Sequence, residues 1–186
     1  MESRLNPTRR EFLVSSAASG IALVTVSSAG CQASGDRQLQ FASLTAASEE
    51  LARLAQAKGL DSSAAWSWAQ TLEHCAQSIE YSLSGFPQPR SPLFQRTAGS
   101  AAYGFFAWRG RMSHDLAEPI PGAPVLAASD DSAIALARLR AAILRFEQWT
   151  GPLQPHFAYG ALDKREYGLA HAMHLGNHFS AFRAKA

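Results

Sequence analysis

Residues 170–179 read AHAMHLGNHF, which places His171, His174 and His178 three and then four positions apart. That is the step of an α-helix, on which the three imidazoles share a face. Rings at i and i+4 lie one turn apart and can converge on one metal ion, so His174 and His178 form a ligand pair. Three rings from one straight helix do not converge, because positions 171 and 178 are two turns, roughly 10 Å, apart. A third ligand must come from another element. His74, in TLEHCAQSIEYS, stands among apolar positions and should point toward the interior. Three neutral nitrogens suit zinc, nickel or ferrous iron. A fourth position left to water is the arrangement of a catalytic site rather than a sealed structural one. The alternative is that these histidines are hydrogen-bonded core residues with no metal. His114, in RMSHDL, and His156, in QPHFAYG, fall in loops as capping or surface groups, able to enter the mouth of a pocket. Glu73 is turned 100° from His74 on a helix and is no obvious base.

Helical elements must position these groups. LTAASEELARLAQAK, 44–58, is rich in helix formers and carries an apolar stripe at Leu44, Leu51, Leu54 and Ala55, with Gly59 placed to end it. Asp61 or Ser62 can cap a second helix, in which Trp68, Leu72, Cys75 and Ile79 follow the 3.6 period up to Gly85. FPQPRSP is then an extended link. A helix is expected over 93–112 despite Gly99, Gly104 and Gly110. EPIPGAPVL, 118–126, is a proline-rich loop. A helix over 129–149 has Ser129 or Asp130 as its cap and acidic residues in its first turn. The last helix opens on DKRE, a capping box of the Asp-x-x-Glu kind, and runs to about Phe182. No segment reads as a strand. The class is all-α, a four-helix bundle with an extra helical segment and proline-rich loops.

The first thirty residues have another purpose. TRREFLV places Arg9 and Arg10 before a short run rich in Ala, Ser and Gly, which describes a twin-arginine export signal rather than a membrane span. Its partner would be the twin-arginine export machinery, and the destination periplasmic or cell-envelope. Cys31 follows small residues as in a lipoprotein processing site, though Ser28 stands where a large aliphatic residue is usual. Contact with a membrane would then be through a lipid anchor at Cys31. Residues 31–42 read as a tether and 43–186 as the folded domain. Removing 1–30 takes away Arg4, Arg9, Arg10, Glu2 and Glu11, leaving 14 basic against 13 acidic residues. That balance offers nothing to nucleic acid. Cys75 is the second of two cysteines, too few for a disulfide framework, and reads as a small buried apolar residue.

WSWAQTLEHCAQSIEYSLSGFP resembles the second helix of the DinB/YfiT-like metalloenzyme superfamily, in which a Trp-to-His stretch precedes an apolar run ending in Gly. PHFAYGALDKREYGLAHAMHLGNHFSAF resembles that superfamily's last helix and its lead-in loop. The closer likeness is to a bacterial domain-of-unknown-function family within it. The resemblance covers 66–182, loosely in the middle. It implies an up-down-down-up four-helix bundle and a three-histidine metal site, with His74 matching the ligand of the second helix and His174 and His178 the pair of the last. His171 then falls outside the triad, as a group able to orient a neighbouring ligand. Asn177 stands where relatives often carry a second histidine, which changes the rim of the site and removes no ligand.

Two functions follow. One is an exported metal-dependent hydrolase or thiol transferase acting on an unknown small molecule. In it the aromatic and basic stretch YGFFAWRGRM lines the pocket, and Arg109 or Arg111 meets a substrate carboxylate beside Trp108. The competing reading of that stretch makes its aromatics core and its arginines a solvated end. The other function is a non-catalytic exported bundle acting as a binding or interaction module. Both allow a dimer. No Gly-x-Ser-x-Gly, Cys-x-x-Cys or Gly-rich phosphate loop is present.

Overall fold

A computed structural model describes residues 36–126 and 131–185. The expected export signal with Arg9 and Arg10, the expected lipidation site Cys31, and the expected caps Ser129 and Asp130 lie outside the described residues. The described chain is mostly helical. Helix α1 spans Leu44–Ala55 and is capped by Ser43. Helix α2 spans Trp68–Ser84 and ends on Gly85, whose φ of 104° favours a residue without Cβ. A single helical path then runs through α3, Pro92–Phe94, a π turn, Gln95–Gly99, and α4, Ser100–Arg109, which ends on left-handed Gly110. Helix α5 is Ser132–Gln148 and α6 is Lys164–Phe179. Among the described residues no helix is long and apolar enough to cross a membrane.

Helices α1, α2, α5 and α6 share one apolar core. Leu51 and Leu54, Leu72 and Ile79, Leu139 and Phe146, and Leu175 and Phe179 are all almost fully buried in it. Each such side chain contributes about 1.5–3 kcal/mol of transfer free energy. Helix α2 packs along α5 and also meets α6, and α1 lies on α6. Arg138 of α5 ties the α2–α5 pair from outside by binding both Glu73 and, at 2.7 Å, Glu80 of α2. That pairing occupies Glu73, in line with its turn away from His74.

Several local expectations are corrected. Asp61 and Ser62 do not cap α2. They belong to a short strand, β1 (Leu60–Ser62), which pairs antiparallel with β2 (Phe182–Ala184), so a strand exists where none was expected. The cap of α2 is Ser67, which forms a reciprocal capping box with Gln70. Helix α5 starts one residue after Asp131, whose carboxylate accepts from the Ala133 N–H. Helix α1 ends at Ala55, short of Gly59. Helix α6 stops at Phe179 because Phe182 is recruited into β2.

The tether is also corrected where it can be seen. Arg37 binds Glu50 and donates its backbone N–H to the Ser180 carbonyl at 2.9 Å, while the Leu39 N–H reaches Ser180 Oγ at 2.8 Å. Phe41 joins the core. Residues 37–41 are thus docked against the end of α6. Gly176 permits this, since a Cβ there would lie 3.1 Å from the Leu39 carbonyl oxygen.

Candidate metal centre

The capping box at Ser67 fixes where α2 begins, and Trp66 and Trp68 flank it. Trp68 packs on Phe179 and Phe182, at ring separations of 5.4 and 4.9 Å. Trp66 stacks parallel to His178 at 6.3 Å and tilts against His74 at 5.0 Å. The start of α2 is thereby clamped on the end of α6. That clamp sets His74, two turns into α2, opposite the last two turns of α6. The capping box of Asp163 and Glu166 fixes the other end of α6.

His74, His174 and His178 each offer a ring nitrogen within 4.8 Å of the others, a group that could hold a metal ion. His74 Nε2 and His174 Nε2 stand 3.1 Å apart. Nitrogens bound to one zinc at tetrahedral angles are separated by roughly 3.3 Å, so this pair is already at coordination spacing. All three rings are buried, with exposures of 2%, 9% and 1%. Burial, together with the neighbouring imidazoles, pushes all three below the ordinary histidine range, His74 to about 4. They are neutral at pH 7, the form that ligates. His178 Nε2 and His74 Nδ1 are buried without a hydrogen-bond partner among the described residues. A buried imidazole nitrogen left unpaired costs about 1–3 kcal/mol, and a cation would satisfy the one on His178. His178 also lies in the last turn of α6, where the helix dipole favours positive charge. The donor set fits a borderline divalent ion.

A cavity of about 170 Å³ opens beside the triad. His74, His114 and His174 are on its wall, as are His156, His171 and Tyr159. Apolar residues including Met112, Ile120 and Phe157 make up most of the rest, and among the described residues Glu118 is the one carboxylate lining it. Among the described residues no lysine or arginine lines it. The expected pocket residues Trp108, Arg109 and Arg111 are therefore absent from it. Trp108 is 81% exposed at the surface. Arg111 donates to Gln38 Oε1 at 2.9 Å, a bond that follows from the docking of the 37–41 segment. Arg109 closes α4 in its last turn.

His171 and His156 enter the cavity in a different chemical state. Ser82 Oγ spends its proton on the Ile79 carbonyl at 2.7 Å, so at 3.1 Å it accepts from His171 Nε2–H. The His171 ring lies near-parallel to Tyr167 and edge-on to Phe146. His156 Nδ1 accepts from the Ala158 and Tyr159 N–H groups, which puts its proton on Nε2. Burial holds both rings down at about 3, and for His171 the charge of His156 adds to it. His171 faces a serine, so it does not orient a neighbouring ligand through a carboxylate or carbonyl. Asn177 does reach the site, donating to the His114 carbonyl at 3.4 Å.

His114 approaches more closely than its loop position implied. Its ring is 5.3 Å from that of His174 and 5.1 Å from that of His178. Trp66 was not singled out from the sequence as a wall of the site. Its place beside the cap of α2 is the signal that could have found it.

Fold and site define a mostly helical protein with a buried three-histidine cluster beside an apolar cavity. The chain belongs to the DUF1569 family of proteins of unknown function, whose model matches residues 33–185. No curated protein and no solved structure matches it.

Proposed function

We propose that this chain is an exported, DinB-like up-down-down-up four-helix bundle that holds a divalent metal on His74, His174 and His178 and acts on a small molecule in the adjoining cavity. The observation that carries the reading is the convergence of three neutral imidazoles with a buried, unpartnered nitrogen on His178. Zinc, nickel or ferrous iron suits the donors. Such an ion supplies Lewis acidity and lowers the pKa of a thiol or water it binds. The chain's own residues do the rest. Trp66 shields the rings, Met112, Ile120 and Phe157 keep the cavity dry, and His156 Nε2–H stands as a donor on its wall. With no cationic side chain lining it among the described residues, the cavity suits a neutral or cationic molecule better than an anionic one. Metal-assisted hydrolysis therefore fits better than transfer from an anionic thiol.

Export rests on Arg9, Arg10 and the short apolar run after them, and lipid anchoring on Cys31. The location is periplasmic or cell-envelope, and the twin-arginine machinery is the partner.

A second reading is a non-catalytic bundle whose His74–His174 contact is an ordinary core hydrogen bond. Metal analysis of the full chain, produced without a metal-affinity tag, separates the two. One equivalent of metal, lost in the His174→Ala/His178→Ala double variant, supports the site. A metal-free chain whose melting temperature ignores added zinc and nickel supports the plain bundle, since a ligand of the native state must raise apparent stability.

A further inference from the structure

We propose that His114 is a fourth metal ligand, carried on the loop after α4, which closes the site and is released to admit substrate. This deepens the reading above and rests on it. The ring separations of His114 from His174 and His178, 5.3 and 5.1 Å, run slightly beyond those within the triad, 4.7–5.0 Å, and its ring stands outside the group that already converges within 4.8 Å, so an inward shift of its loop would complete the set. Rings bound to one zinc through Nε2 have centroids roughly 5 Å apart.

The protonation state of His114 also fits. Its Nδ1 meets the Asp115 carbonyl at 2.8 Å, and a carbonyl only accepts, so Nδ1 carries the proton and Nε2 the lone pair. A ligating imidazole commonly keeps its other N–H on a carbonyl in this way, which fixes both tautomer and ring orientation. The backbone is placed as well. Asn177, adjacent to the ligand His178, holds the His114 carbonyl, and Met112 and Ile120 bury the loop on either side. His74, His174 and His178 are fixed by helices. The His114 bond rests on a loop and is the easiest of the four to give up.

Cobalt(II) and zinc on the full chain test this. In His114→Ala, zinc affinity measured by chelator competition should fall at least roughly tenfold, and the visible cobalt bands should weaken as water replaces the ring. In His114→Cys, cobalt should produce a near-ultraviolet thiolate-to-metal band that the unaltered chain, with its own Cys75 and Cys31, lacks. Metal-free melting of both variants should stay close to the parent's, because a loop residue is being replaced. If His114→Ala binds zinc as tightly as the parent and His114→Cys has no thiolate band, His114 is not a ligand and the three-histidine reading stands. A parent chain that binds neither metal overturns both.

Discussion

His171 and His178 sit two turns apart on one helix, are equally buried, and differ in what their nitrogens meet. His171 Nε2–H has Ser82 Oγ as its partner, and its ring has Tyr167 and Phe146. His178 Nε2 has no partner among the described residues, and its ring is flanked by three more imidazoles. Burial alone therefore does not mark a functional histidine. A buried polar group that is satisfied holds a fold together. One left unsatisfied costs stability and persists where something absent from the folded chain repays it. His156, fixed by two backbone N–H groups, stands with His171 on the satisfied side.

The largest disturbance on the satisfied side should come from Gly99→Ala. A Cβ there would lie 1.9 Å from the Ala158 carbonyl oxygen, in the turn that holds His156. The turn must move, at a cost of about 3 kcal/mol or more in chemical denaturation, and zinc binding at the triad should survive. His171→Leu should cost about 2–3 kcal/mol, from the lost hydrogen bond and the lost aromatic contacts.

Acid should act through the same region. His156 and His171 titrate near 3 in the folded chain and near 6.5 when unfolded. The unfolded state therefore binds more protons between those values. Stability is complete above about pH 6.5 and falls as the pH drops toward 3. At pH 5 the loss is about 2 kcal/mol per group. Urea denaturation of the metal-free chain at pH 7 and pH 5 measures it, and His171→Leu should show a shallower fall. The smallest effect has the opposite sign. His178→Leu removes an unpaired buried nitrogen at similar volume, so the metal-free variant should be more stable than the parent by about 1 kcal/mol.

The sequence was most legible where physics is local and periodic. The DKRE capping box marked the start of α6, Gly85 the end of α2, and the 3.6 period their faces, and so the facing of His74 toward His174 and His178. What was missed depends on partners distant in the chain. Residues 60–62 are a strand only because Phe182–Ala184 returns to pair with them. Residues 37–41 read as a tether because their attachment is to Ser180 and to the space above Gly176. His114 reads as a loop residue able to enter a pocket mouth, which it does, but a loop has no period to show how near its ring comes to the triad. Trp108, Arg109 and Arg111 were placed in the pocket on residue type alone; α4 turns the first two elsewhere, and Arg111, beyond its end, is held by Gln38.

The most direct test titrates zinc calorimetrically into the metal-free parent, His171→Leu and His178→Leu. The parent and His171→Leu should bind one equivalent with similar affinity, and His178→Leu should bind none despite its more stable fold. Unchanged zinc binding by His178→Leu, or its loss in His171→Leu, would contradict the assignment of the unpaired histidines to the metal and the paired ones to the fold.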